Sequence, residues 1–218
     1  MKSNRCVHRQ LYSAHPNCYR RQIKPFKVLF FDLEVTAHQG FFWGKAWETN
    51  IIETIEYGKI LSYSAKFMGG KTITRGWCHF KKNGEKELCK ELWELLNEAD
   101  CVIGHNIRQF DLKWIWTRFA FYKMKMPSNF KVIDTKIESK KYLYTPSYSL
   151  NNLADYYGLG QKVEHTGFKL WKDCIAGNRK AWKLMLKYNR QDVVLLEKVF
   201  NKLRPLNPNW INLGTREE

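Results

Sequence analysis

Residues 28–35, Val-Leu-Phe-Phe-Asp-Leu-Glu-Val, constrain this chain more than any other stretch. A short apolar run of this composition reads as a buried strand, and it ends in two acids one residue apart. Side chains i and i+2 of a strand point to the same side, so Asp32 and Glu34 hold their carboxylates together at the strand's end. Like charges that close repel unless a cation lies between them. Hard carboxylate oxygens suit magnesium or manganese. The alternative for so short a pattern is an Asp and a Glu opening an exposed loop.

The chain has 218 residues, of which 44% are hydrophobic and 15% aromatic, enough for one sizeable core and one main domain. With 37 Lys and Arg against 21 Asp and Glu, the net charge is +16. A field of that sign attracts polyanions, nucleic acid above all. No apolar run approaches the roughly 20 residues of a membrane span, and no basic helix has one apolar face. Residues 1–10 lack the apolar stretch of a signal peptide, so a cytoplasmic protein is expected, in the host cytoplasm if phage-encoded. Six scattered cysteines fit a reduced compartment, with Cys78, Cys89, Cys101 and Cys174 expected in the core.

Residues 1–25 read as a basic arm. They contain Cys6, His8, His15 and Cys18, four N/S ligands that would make a small zinc knuckle, although the Cys-x-His spacing is tighter than usual. The alternative is an unmetallated arm. Residues 37–57 read as an irregular excursion rich in aromatics, which either pack on the core or stack on bases. Alternating runs at 59–67 and 72–80 around Met68-Gly69-Gly70-Lys71 predict a hairpin, antiparallel to the first strand. Helices are predicted over 84–99, 109–121, 149–157, 168–175 and 178–203, with strands at 100–105 and 131–135. The expected fold is α/β, a mixed five-stranded sheet flanked by helices. The domain is expected over 26–204 and a fraying tail over 205–218.

Two more acids stand within reach of the first pair. Asp111 follows the strand at 100–105, in His-Asn-Ile-Arg-Gln-Phe-Asp, where it opens a helix and its bland role is to complement the helix dipole. Asp192 lies inside the last helix, a poor place for Asp unless its carboxylate has a task or faces water. Tyr188 is four residues earlier, so both share one helix face, and the bland reading is a surface pair.

Taken together and in order, FDLE (31–34), HNIRQFD (105–111) and YNRQD (188–192) resemble the three motifs of the DEDDy 3′-to-5′ exonucleases of the ribonuclease H-like superfamily. Proofreading domains of family B DNA polymerases are relatives, and the chain is also similar to the stand-alone YprB-type domain of bacteria and phages. Residues 60–66, 149–154 and 158–162 extend the likeness, which covers about residues 26–203. The resemblance implies a phosphodiesterase with two Mg2+ or Mn2+ ions. In it Asp32 bridges both ions, Glu34 and Asp192 complete the site of the nucleophile-bearing ion, Asp111 holds the second, and Tyr188 orients the attacking water. It also implies that Asn106 hydrogen-bonds and Leu33 wedges against the terminal nucleotide. Asn106 could instead cap its helix, and Leu33 could be core.

Lys162, His165 and Lys169 are candidates for gripping phosphates, the alternative for each being a solvated loop without a function. The expected substrate is a single-stranded DNA 3′ end, met alone or beside replication or repair proteins. Alternatives are an exoribonuclease, a structure-selective endonuclease, or a non-catalytic nucleic-acid-binding module.

Overall fold

The structure, a computed structural model, describes residues 26–44 and 50–207. Its centre is β1 (Val28–Val35), flanked by β4 (Ile60–Phe67) on one side and β6 (Cys101–Gly104) on the other. With β5 (Ile73–Gly76) and β7 (Lys131–Asp134) at the edges, the sheet order is β5-β4-β1-β6-β7. β4 runs antiparallel to both of its neighbours, β1 and β5, whereas β6 and β7 are parallel to β1. The expected mixed five-stranded sheet flanked by helices is what forms.

β1 is apolar on both sides because both of its faces are covered. Leu29, Phe31 and Leu33 point into a core closed by α1 (Gly84–Glu98) and α2 (Asp111–Phe121), with Leu92, Ile115 and Phe119 opposite. Val28 and Phe30 point the other way, into a core made with α4 (Leu150–Tyr156) and α6 (Arg179–Leu203), where Phe30 meets Phe200 edge to face. The period of two therefore sends Asp32 and Glu34 to the α6 side. A register shift between Glu34 and Val35 ends the regular pairing with β4 just past the second carboxylate.

Polar braces fix the helices that matter here. The buried Glu85 carboxylate of α1 accepts from Arg118 Nε (2.7 Å) and Nη2 (2.6 Å) and the Tyr122 hydroxyl (2.6 Å). It also accepts from Ile60 N (2.8 Å), which ties α1 and α2 to the start of β4. Asn178 caps α6 through Lys180 N and Ala181 N, and Ser149 caps α4 through Asn152 N.

Four expectations are corrected. The run at 72–80 is strand only over β5, because at Gly76 the backbone turns into a 3-10 turn (Trp77–His79) with His79 Nδ1 accepting from Gly76 N at 3.0 Å. A Cβ at Gly76 would lie 2.5 Å from the Trp182 ring, so this close approach needs glycine. The aromatic excursion is not wholly irregular: β2 (Gln39–Phe41) and β3 (Glu53–Glu56) pair as an antiparallel ribbon. An unanticipated helix α3 (Thr135–Tyr142) follows β7 at once, capped by Asp134, before α4 and α5 (Lys169–Ile175). Cys78 is exposed on the 3-10 turn, whereas Cys89, Cys101 and Cys174 are buried. At the other end, Asn207 is buried and donates to Glu138 Oε2 of α3 at 2.8 Å, so the chain is still anchored three residues beyond Arg204.

Candidate active site

α6 packs along β1 and β4 with a stripe that turns polar where it passes the end of β1. One oxygen each from Asp32, Glu34 and Asp192 lies within 4.8 Å of the other two. Tyr188 and Asp192 are buried, at 9% and 2% exposure, so they are no surface pair. Asp192 Oδ2 accepts from Lys162 Nζ at 2.5 Å, and Asp192 Oδ1 is buried without a partner. A buried carboxylate oxygen left unpaired is costly.

Asp111 stands beside this trio. Its Oδ1 accepts from Leu33 N at 3.1 Å, which ties the first residue of α2 to the strand between the two β1 acids. Burial, then the charges of Asp111, Asp192 and Glu34, pushes Asp32 well above the usual carboxyl range. Burial and the neighbouring Asp192 raise Glu34 to about 8. Asp111 rises to about 7, chiefly by burial, against the bond from Leu33 N. Asp192 is raised by burial despite the opposing charge of Lys162. Four carboxyl groups driven up together are groups whose charged forms oppose one another, and a cation among them would favour those forms.

Around the carboxylates, the Tyr188 hydroxyl accepts from Lys162 Nζ at 3.4 Å, and burial together with the Asp192 charge keeps it protonated. His165 meets the Tyr188 ring edge-on at 4.8 Å, and Trp171 of α5 packs on His165 at 5.2 Å. A cleft of about 600 Å3 opens from Tyr188 along Lys162, His165, Gln161 and Asn151. Lys169 instead pairs with Asp173 at 2.5 Å on α5.

Of the remaining expected residues, Leu33 lies in the core at 3% exposure, the second of the two roles its sequence context allowed. Asn106 sits at φ +65° in the turn before α2; the helix's cap is Phe110, with no side-chain bond, so capping is not Asn106's task. Cys6, His8, His15 and Cys18 lie outside the described residues.

Two residues of the site went unanticipated. Asn189, fully buried, donates from Nδ2 to Asp32 Oδ2 at 2.8 Å and to the Asp32 carbonyl at 3.3 Å, while its Oδ1 accepts from Ser62 Oγ at 3.4 Å. Asp134 accepts from Asn106 N at 2.9 Å and Arg108 N at 3.2 Å while capping α3, and so holds the turn that delivers Asp111. An amide inside a long helix and an acid closing a strand were the available signals.

The donor set fits a divalent cation that prefers oxygen: Asp32, Glu34 and Asp192 converge, and an orphaned carboxylate oxygen is among them. Fold and carboxylate cluster together define an α/β domain with a candidate metal centre at the end of its central strand. The chain belongs to the RNase H superfamily, the family model RNase_H_2 (RNase_H superfamily) matching residues 29–204. Among solved structures it is similar to the family B DNA polymerase from the hyperthermophilic archaeon Pyrobaculum calidifontis, at 15% identity and a TM-score of 0.61. That likeness covers 86% of this chain and 26% of the polymerase chain, and it shows the shared fold. A comparison with curated proteins returns no match.

Proposed function

We propose that residues 26–204 form a two-metal-ion 3′-to-5′ exonuclease that releases nucleotides from single-stranded DNA ends. The observation that carries this reading is the convergence of Asp32, Glu34 and Asp192 within 4.8 Å, with Asp111 close enough for its charge to raise Asp32 further. Membership of the RNase H superfamily and the fold shared with a DNA polymerase support it.

Asp32, Glu34 and Asp192 would hold one Mg2+ or Mn2+ ion, and Asp111 with Asp32 a second. Bound there, such ions would supply Lewis acidity, to activate water near neutral pH and to offset the charge on the departing 3′ oxygen. The chain does the rest. Asn189 fixes the rotamer of Asp32 by gripping one of its oxygens. Tyr188, kept protonated, offers its hydroxyl beside Asp192, where it can orient an attacking water. Lys162 restrains Asp192 from the cleft side and meets incoming phosphate there.

End-labelled single-stranded DNA and a matching RNA, each incubated in magnesium, manganese or chelator beside Asp32→Ala, test the reading. A metal-dependent ladder shortening from the 3′ end of DNA, absent in the variant, is expected. Preference for RNA or internal cutting would replace the substrate or the mode. No cleavage with binding intact would leave a binding module.

A further inference from the structure

Seven of the eighteen large apolar side chains exposed among the described residues fall in one place, the ribbon of β2 and β3 and the residues beside it. Four are aromatic, including Phe41, Trp43 and Tyr57, at 60%, 78% and 67% exposure, and three are isoleucines. A cluster of this kind on a charged protein marks a contact surface.

The ribbon is rigidly rooted at the candidate site. Thr36 N donates to Lys59 O at 2.8 Å and Lys59 N returns to Thr36 Oγ1 at 2.9 Å, which closes its base directly behind Glu34. His38 Nδ1 accepts from Gly58 N at 3.0 Å, and its ring stacks at 5.5 Å on Trp114 of α2, the helix that Asp111 opens. A Cβ at Gly58 would lie 2.5 Å from that indole, so the fit at the root is tight. Gln39 is five residue steps on from Glu34, a reach of at most about 17 Å. The apolar surface therefore begins within a few nucleotides of the carboxylates.

We propose that this ribbon is the platform on which the bases of a single-stranded substrate stack upstream of the cleaved bond. Net charge selects the occupant: a chain at +16 attracts polyanions, and the apolar faces a polyanionic strand can offer are its bases. In a duplex those faces are hidden, so the platform also selects single strands. Of the ribbon's described acids, Glu56 is matched by Lys59 at 2.5 Å and by Gln39 at 3.2 Å, which leaves Glu53 as the unfavourable charge a phosphate would meet. The inference rests on the nuclease reading above and names its substrate contact.

The test uses the full chain and the double variant Phe41→Ser/Trp43→Ser, whose exposed side chains leave the core intact. Cleavage of a dinucleotide, too short to reach the ribbon, is compared with cleavage of a single-stranded DNA of about 12 nucleotides. Loss of each stacking ring should lower kcat/KM on the longer strand about tenfold, with the dinucleotide unchanged. Equal rates on the longer strand, or equal losses on both substrates, would overturn the proposal. Anisotropy of the same labelled strand in chelator decides the matter even where wild type proves to be no nuclease: binding about a hundredfold weaker in the double variant, about tenfold per ring, supports the platform, and unchanged binding removes it. Self-association of wild type that the variant loses while still holding DNA would make the ribbon an interface between copies instead.

Discussion

Asp32 is the residue on which the site's electrostatics turn, because three other acids and a buried setting all oppose its charge. A carboxyl whose folded pKa lies above its unfolded value contributes most to stability at low pH, and that contribution is lost as pH rises through the folded value. With Asp111 at about 7 and Glu34 at about 8, the cation-free protein should lose stability from the ordinary carboxyl range up to about pH 8. Asp32→Asn removes the most opposed charge, so its melting temperature in chelator at pH 8 should exceed that of wild type. Manganese should raise the wild-type value and leave the variant's nearly unchanged; a variant that melts lower in chelator would contradict this account. Asn189→Ala should leave Asp32 free to turn and weaken manganese binding roughly 10- to 100-fold by calorimetry, with little change in melting temperature in chelator. The pair on β1 was legible because a strand's period of two is unambiguous, and Tyr188 with Asp192 because a helix repeats at four. Asn189 was legible only in part: standing three and four residues from Leu186 and Val193 it falls on the apolar side of α6, but only the packing of that helix against β1 and β4 shows that it meets Asp32 and Ser62.

At the scale of elements, α3 is the instructive case. Its sequence, Thr-Lys-Ile-Glu-Ser-Lys-Lys-Tyr, has almost no apolar stripe, so hydrophobic periodicity passes over it. It forms because Asp134 caps it from the end of β7 and because one face lies against α6. The same carboxylate holds the turn at Asn106 and Arg108, which couples a structural cap to the delivery of Asp111. Asp134→Ala should therefore cost more than the roughly 1 kcal/mol of a lost cap, about 2 kcal/mol in all, because two further part-buried amides lose a charged acceptor. Urea unfolding measures it, and a cost near 1 kcal/mol would mean that the turn holds itself. The ribbon of β2 and β3 escaped sequence reading for a related reason: its exposed aromatics and isoleucines obey no inside–outside alternation, since the surface they make is directed outward. The helices at 84–98, 111–121 and 179–203, by contrast, carry apolar faces that pack on the sheet and were read within a few residues of their ends.

For the whole molecule, fold and charge answer different questions. The order of strands and helices fixes where the ends of β1, α2 and α6 meet, and this order was legible because each long element carries its own period. The net charge of +16 says nothing of the fold but governs how strongly a polyanion is drawn to it. No described helix is long and apolar enough to cross a membrane, so the charge is not needed to flank a helical span among those residues. Binding of a single strand by cationic side chains releases counterions, about 0.7 per phosphate neutralised. With about five phosphates engaged along the cleft, the logarithm of affinity should fall with a slope near −3.5, so a rise from 50 to 200 mM salt weakens binding on the order of 100-fold. Titrating a labelled single-stranded oligomer with Asp32→Ala in chelator, across that range, gives the slope without cleavage. Lys162→Ala made in the same background should lower the slope by about 0.7, because its Nζ faces the cleft where the strand would pass. The same substitution at Lys169, which lies on α5 outside the lining of that cleft, should leave the slope where it was. A slope near zero would mean that apolar contacts carry the affinity, and the basic balance would then need another partner to explain it.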